Sequence, residues 1–334
     1  MNRDWRIAAF LGVSFLAFLS VTLWGSRGDM NTLTEFLYLL ALAQLWNLLA
    51  GYAGLVSVGQ QAWIGLGAYS LLVFSDDVGL PMVACILLAG LVCAALAYPT
   101  ALLTFRLRGG YFAIGTWVIA EVFRLLVTSN TQWLKGGTGR TLKVSNLFES
   151  ASGRITVVYV TAVIIAFAVF LLSLWLLRSK RGLGLTAIRD NEAAATSMGI
   201  NTYRLKLFIF VACAFGTGVV GSLIAMNQLS IVPRSIFSVN WTAFMIFIVV
   251  IGGIGTLEGP IIGAIIFFFL REYLSNFGEW SFIILGAVAV VMMLVAPQGL
   301  WGLVRQRFNI ELFPVRRLIP KRFTETASPS KESS

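Results

Sequence analysis

Long runs without a charge alternate along this chain with short stretches where charges gather. Residues 7–24, 36–75, 78–105, 155–177, 207–233, 235–257 and 280–304 contain no Asp, Glu, Lys or Arg. Each run is long enough for a helix to cross the ~30 Å hydrocarbon core of a bilayer. Such segments cross as helices, because every backbone N–H and C=O then finds its partner inside the segment. The pattern predicts ten spans, at about 7–24, 32–50, 59–75, 81–105, 111–128, 155–177, 206–228, 238–253, 257–274 and 280–297. The uncharged run 36–75 would extend about 60 Å as a single helix, so it must break. Gly51-Tyr52-Ala53-Gly54 is the natural place, since glycine tolerates the turn. A second glycine-rich break, Gly252–Gly259, separates the eighth span from the ninth. The expected fold is therefore all-α: a polytopic helical membrane protein with one transmembrane domain, residues 1–304. A basic tail, partly disordered, follows at 305–334.

Charge placement orients the spans. With the N-terminus inside and the spans alternating, 17 of the 25 Lys and Arg residues fall on the inner side. Basic residues concentrate in cytoplasmic loops, so both termini are expected in the cytoplasm. The longest inner loop is 178–205 and the longest outer loop is 129–154. Arg3 and Arg6 before the apolar run Ile7–Trp24 resemble the start of a signal peptide. The run is long for one and no small-residue cleavage site follows, so it is assigned as the first span. Trp24, Trp133, Trp241, Trp280 and Trp301 fall near span ends, where an aromatic belt is expected.

Composition narrows the chemistry. The chain is 58% hydrophobic and 12% charged, against about 25% charged in soluble domains. The net charge of +10 sits in short loops between apolar spans and does not form a nucleic-acid surface. There is no histidine, which excludes histidine metal sites and proton relays. Cys85, Cys93 and Cys213 lie in apolar segments as small buried residues. The chain lacks the Gly-rich loop with Lys-Ser/Thr that cradles nucleotide phosphates, and no polar cluster suggests an embedded enzyme.

The loop 178–205 is the most informative segment. Gly182 and Gly184 allow a sharp turn, Thr186 to Met198 is rich in helix formers, and Gly199 suits a helix stop. Ile188, Ala195 and Met198 fall on one stripe, with Arg189, Asp190 and Glu192 facing elsewhere. This short amphipathic helix is open to two readings: a docking element for a cytoplasmic partner, or an ordinary interfacial helix.

Polar residues around the breaks are candidates for a translocation pathway. Asn47, Ser57, Gln60 and Gln61 surround Gly51 and Gly54, while Gly252, Gly253 and Gly255 form the second break. The competing reading is helix packing with interhelical hydrogen bonds. Glu258 is expected in a solvated hairpin, with a gating role as the alternative. Glu121 and Arg124 share one helix face at (i, i+3) spacing and can pair, as a structural ion pair or as a contact to cargo. In the outer loop, Lys135, Arg140, Lys143 and Arg154 offer a basic surface to an acidic partner, or a plain solvated loop.

Asn191-Glu192-Ala193-Ala194 with Gly199 resembles the EAA-type loop of ABC importer permeases. The wider loop resembles the high-affinity branched-chain amino acid permease family. So do residues 51–60 (GYAGLVSVGQ), 65–69 (GLGAY), 106–114 (RLRGGYFAI), 136–139 (GGTG) and 252–260 (GGIGTLEGP). The resemblance spans roughly residues 32–300. Four residues, not three, separate the Ala pair from Gly199, and no Leu-Pro follows. That places the chain in the branched-chain-like subgroup, which also holds urea permeases. Many members have a histidine near Gln60 or Gln61, and this chain does not.

The resemblance implies a non-enzymatic permease subunit of a binding-protein-dependent ABC importer for branched-chain or other small amino acids. It implies pairing with a second, related permease in the bacterial inner membrane. Two cytoplasmic ATPases would bind ATP and Mg, and an external solute-binding protein would deliver cargo. The coupling segment would comprise Thr186, Arg189, Asp190, Asn191, Glu192, Ala193, Ala194 and Gly199. The alternatives are a urea or short-amide importer permease, and an ion-coupled secondary transporter. The latter normally needs buried carboxylates, and here Glu121 is the mid-span candidate, with Arg124 beside it.

Overall fold

The computed structural model describes residues 3–132, 134–143, 147–148, 151–274, 277–278, 280–296, 298–308 and 313. In chain order the elements begin α1 (Arg3–Trp24), α2 (Arg27–Asn47), α3 (Gln60–Asp76), α4 (Met82–Thr104) and α5 (Gly110–Ser129). Then come β1 (Arg140–Thr141), α6 (Ala151–Arg178), α7 (Lys180–Asp190), α8 (Glu192–Ser197) and α9 (Thr202–Gln228). The remainder are β2 (Ser230–Ile231), α10 (Pro233–Ile236), α11 (Asn240–Gly252), α12 (Gly259–Leu274), α13 (Trp280–Val295) and α14 (Gly299–Phe308).

Helices occupy all ten predicted places, but not as ten equal spans. Eight helical stretches among the described residues are long and apolar enough to cross a membrane. The helices α3 and α12 are shorter, at 17 and 16 residues. The cause for α3 is the break before it. Helix α2 continues as a π-helical turn, Leu48–Tyr52, and the chain then runs non-helically to Gly59 before α3 begins. Its backbone is satisfied by protein: the Val58 N–H donates to Thr116 Oγ1 at 3.1 Å, and the Leu55 N–H to the Leu49 carbonyl at 2.9 Å. Irregular backbone among spanning helices is tolerated where protein encloses it in this way.

The core is built on α2 and α9. Every residue from Ala41 to Ala53 is buried, so the second half of α2 is enclosed on all sides. It starts with a capping box, in which Ser26 Oγ accepts the Asp29 N–H and Asp29 accepts the Ser26 N–H. Helix α9 packs against α3 and α4 through small residues. A Cβ on Gly67 would lie 2.1 Å from the Gly218 carbonyl oxygen, and one on Gly221 would lie 2.3 Å from that of Ile64. Gly218 in turn faces Cys93. Close backbone approach through small residues is how apolar helices associate when no water is expelled between them. All three cysteines are buried and unpaired.

Around this core lie helices with apolar exposed faces. On α1, Phe10, Val13, Leu16 and Leu23 are exposed, and Tyr159 on α6 donates to its Phe18 carbonyl at 2.6 Å. Trp24 and Trp280 are exposed at helix ends, as an aromatic belt requires, whereas Trp301 is buried beside Gly253. Trp133 lies outside the described residues. The tail expected from residue 305 begins within α14; beyond Phe308 only Phe313 is described.

The predicted outer loop is stapled at two of its four basic residues, Arg140 and Arg154, while Lys135 and Lys143 are exposed. Strands β1 and β2 pair antiparallel, with Arg140 opposite Ile231. Arg140 is buried, and its guanidinium donates to both carboxylate oxygens of Asp77, at 2.6 and 3.0 Å. Asp76, itself buried, lies 3.9 Å from the same guanidinium. Arg154 donates to the Met226 and Asn227 carbonyls. Arg140 holds the loop to the end of α3, and Arg154 holds the start of α6 to the end of α9. Arg140→Ala is expected to destabilise the protein by about 2 kcal/mol, because it strips the counterion from a buried carboxylate while Asp77 stays half in water. Thermal unfolding in detergent checks this, together with faster proteolysis between residues 129 and 143. An unchanged melting temperature would remove Arg140 as the staple.

Candidate functional site

The segment 178–205 forms two short helices, not the single one expected. Ser179 caps α7 by accepting the Arg181 and Gly182 N–H groups. Gly182 and Gly184 lie inside α7 and are buried; they do not form a turn. A Cβ on Gly182 would lie 2.4 Å from the Leu177 carbonyl oxygen, so smallness there lets α7 fold back against α6. The break comes at Asn191, whose backbone is extended, with φ −159° and ψ 105°. Its side chain accepts the Ala194 N–H at 3.0 Å and starts α8. An asparagine there competes with helix continuation by capping the next one. Gly199 ends α8 with φ +83°, as expected of a glycine stop.

Ile188 and Ala195 are buried, but Met198 is 70% exposed, as is Leu183 at 67%. Met198 therefore parts from the stripe it was expected to share with Ile188 and Ala195. Asp190, Asn191, Glu192, Ala193 and Ala194 are all exposed, and Glu192 is tied back to α9 by Lys206 at 2.6 Å. Thr186 is half-buried, its hydroxyl bonded to the Leu183 carbonyl at 2.9 Å. Beside them, Lys180, Arg181, Leu183, Met198, Arg204 and Phe208 line an open groove of about 750 Å³. The exposed cap and groove combine apolar side chains with charge.

Both glycine breaks converge beneath this cap. Asn47 on α2 clamps the second break: its Nδ2 donates to the Thr256 carbonyl at 2.7 Å, and its Oδ1 accepts the Gly255 N–H at 2.8 Å. Gln44, one turn earlier, donates to the Leu257 carbonyl at 2.9 Å. Gly51 and Gly255 meet backbone to backbone, since a Cβ on Gly51 would lie 2.6 Å from the Gly255 nitrogen. Gly255 has φ +74° and Gly253 φ +131°, conformations that a residue with a Cβ avoids.

Arg189 of α7 closes the arrangement. Its Nη1 donates to the Gly51 carbonyl at 3.0 Å and lies 2.8 Å from where a Gly255 Cβ would be. Its Nε bonds Asp190 at 2.9 Å. Gly54 sits against the Arg189 backbone, its would-be Cβ 3.7 Å from Arg189 Cα. Arg189 thus touches the unwound end of α2 and the α11–α12 hairpin at once, and Gly252 backs onto Gly259 within that hairpin.

The remaining polar candidates sit deeper and bond within the chain. Gln61 pairs with Thr242 of α11 through Oε1, and its N–H donates to the same hydroxyl at 3.3 Å. Gln60 accepts from Thr217 of α9 at 3.4 Å. Ser57 Oγ accepts the Gly59 N–H, and its carbonyl accepts Trp46 Nε1. These contacts join α3 to α9 and α11. Glu258 is buried, not solvated, and its carboxylate accepts the Phe313 N–H at 2.8 Å. Glu121 stands apart on α5, paired with Arg124. Gln44, Thr116, Thr217 and Thr242 were not foreseen. The spacing of Gln44 and Asn47, two amides three apart in an apolar helix, was the available signal for the first of them.

No solved structure matches this chain. Residues 30–297 match the family described as the permease component of branched-chain amino acid transport systems. The chain is 31% identical over 312 residues to the high-affinity branched-chain amino acid transport system permease protein LivM of Escherichia coli, covering 86% of this chain and 73% of the relative. It is 24% identical over 210 residues to the probable LivM of Methanocaldococcus jannaschii, covering 58% and 61%. It is 29% identical over 178 residues to LivH of Salmonella typhimurium, covering 52% and 53%. The match runs through both glycine breaks and the exposed two-helix segment between α6 and α9, and the chain belongs to the branched-chain amino acid transport permease family.

Proposed function

We propose that this chain is one of two transmembrane subunits of an ATP-driven importer of branched-chain amino acids in a bacterial inner membrane. Its partner is a second, related permease. The proposed orientation puts α7, α8 and both termini in the cytoplasm, where two ATPase subunits bind ATP and Mg. A solute-binding protein delivers cargo at the opposite face, over the β1–β2 staple. The names of the relatives above favour branched-chain amino acids over urea.

The observation that supports this reading best is the reach of Arg189. A segment that merely lay on the membrane surface would need no contact with the spanning helices. Here the exposed Asp190–Ala194 cap is joined through Arg189 to the unwound end of α2 and to the α11–α12 hairpin. Packed elements shift as bodies and do not bend continuously, so a push on the cap moves both breaks. Glu192, Ala193 and Ala194 meet the ATPase, while Asn191 and Gly199 set the length of α8.

The test is reconstitution. The chain, co-expressed with its second permease and ATPases, is placed in proteoliposomes with the binding protein. ATP-dependent uptake of radiolabelled leucine, absent without the binding protein, is the expected result. Uptake driven by a proton or sodium gradient without ATP would overturn the proposal.

A further inference from the structure

Helix α5 is attached to the bundle along a narrow stripe. Phe112, Thr116, Ala120 and Val127 are its buried residues. On the rest of its surface Trp117, Val118, Val122, Leu125 and Leu126 are exposed. In the middle of that surface sit two charges. Glu121 lies about 17 Å along the helix from Gly110, well inside the apolar layer. Its side chain is 47% exposed and that of Arg124 is 25% exposed. Arg124 uses its Nε, at 2.9 Å from both carboxylate oxygens, and its Nη2 to bind Glu121. Its Nη1 edge makes no hydrogen bond among the described residues.

A charge pair at mid-depth does not face lipid. Ionisable groups in spanning helices face a protein neighbour or a wet path. The other exposed faces, on α1, α4 and α13, carry apolar residues at comparable positions and suit hydrocarbon. The neighbour is a second, related permease: LivM and LivH of Escherichia coli are both named as permeases of the high-affinity branched-chain amino acid transport system. A path between two permeases runs along their seam.

We propose that Glu121 and Arg124 read the zwitterionic end of the amino acid at the seam between this chain and the second permease. This rests on the importer reading above. The open Nη1 edge of Arg124 takes the α-carboxylate, for which a planar guanidinium is suited. Glu121 takes the α-ammonium. The pair is neutral overall, so it holds neither a lone cation nor a lone anion strongly, but it complements a zwitterion. The aliphatic side chain of the cargo then lies along Trp117 and Val118, which stand one turn before Glu121 on the same side of α5.

The test uses the assembled transporter in proteoliposomes, with leucine-loaded binding protein. The double variant Glu121→Gln with Arg124→Gln removes both charges and leaves neither orphaned, so a purely structural pair predicts wild-type uptake. The proposal predicts that the second permease still copurifies and that binding protein still stimulates ATP hydrolysis. Leucine uptake nonetheless falls about tenfold, the scale of a lost charge-assisted hydrogen bond. Arg124→Lys, which keeps the charge and loses the fork, should fall between the two. Wild-type uptake in the double variant overturns the proposal, as does loss of copurification or joint loss of ATPase and uptake. If the wild-type complex itself shows no ATP-driven leucine uptake, the importer reading fails, and this proposal with it.

Discussion

Replacing Arg189 with alanine is expected to cut ATP-driven uptake about tenfold or more, the usual size of a coupling free energy between two sites. The assembled transporter should still hydrolyse ATP. Arg189 sits in the last turn of α7, where a cation is favoured by the helix dipole, and its removal leaves Ser179 and Asn191 capping as before. What disappears is the bond to the Gly51 carbonyl and the body of the side chain against Gly255. Those contacts join the exposed cap to α2 and to the α11–α12 hairpin. Without them the cap can follow the ATPase while the two breaks stay behind, so ATP turnover and uptake separate. The ratio of leucine transported to ATP hydrolysed is the quantity to measure. Arg189→Lys, able to reach the Gly51 carbonyl but not to span both backbones, should give an intermediate ratio. A wild-type ratio in the alanine variant would sink the idea. So would a failure of the ATPases to copurify, because Arg189 would then be part of the docking surface itself.

Much of this geometry was legible in the sequence, and the gaps have identifiable causes. Charge-free runs placed the helices, because a charge inside the apolar layer is costly enough to be rare. The excess length of 36–75 forced a break, and glycine marked it. The lengths of α3 and α12 were not legible, because the chain re-enters the bundle before Gln60 instead of crossing to the surface, and hydropathy is blind to that path. Asn47 and the two breaks stand out in the sequence as polar and glycine-rich features, open to a pathway or to helix packing. Their convergence under Arg189 was hidden, since the bonds that make it link residues 138 and 208 positions apart.

Local signals were also misread where two of them competed. The residues from Thr186 to Met198 are rich in helix formers, and that propensity masks the cap signal of Asn191 followed by Glu192 in a first turn. Arg140 looked like a solvated loop cation because its partner Asp77 lies 63 positions away. Glu258 looked like a turn residue because its partner lies in the tail. In each case a charged residue was assigned to water by local context, and a distant partner had buried it.

The second large effect concerns the crossing of α3 and α9. Gly67→Leu is expected to destabilise the protein by about 3 kcal/mol or more, at the upper end for overpacking a well-filled interior. The new Cβ would lie 2.1 Å from the Gly218 carbonyl oxygen and 2.7 Å from its carbon and Cα. All three are backbone atoms of a helix, which cannot rotate away as a side chain can. The helices must separate, and separation opens the contact of Gly221 with the Ile64 backbone and strains the bond between Thr217 and Gln60. Thr217 and Gln60 are buried, so a strained bond there is not made up by water. Gly12→Leu is the matched control, because nothing lies within 4 Å of a Cβ at Gly12 on the outer face of α1. Both variants add the same volume and the same helix-favouring residue. Thermal unfolding in detergent, followed by the loss of the monodisperse peak, should show Gly67→Leu melting far below wild type and Gly12→Leu near it. Equal melting temperatures for the two variants would mean that α3 and α9 do not cross through Gly67 and Gly218. The scaffold that holds Gln60 and Gln61 in place would then have to be rebuilt on other contacts.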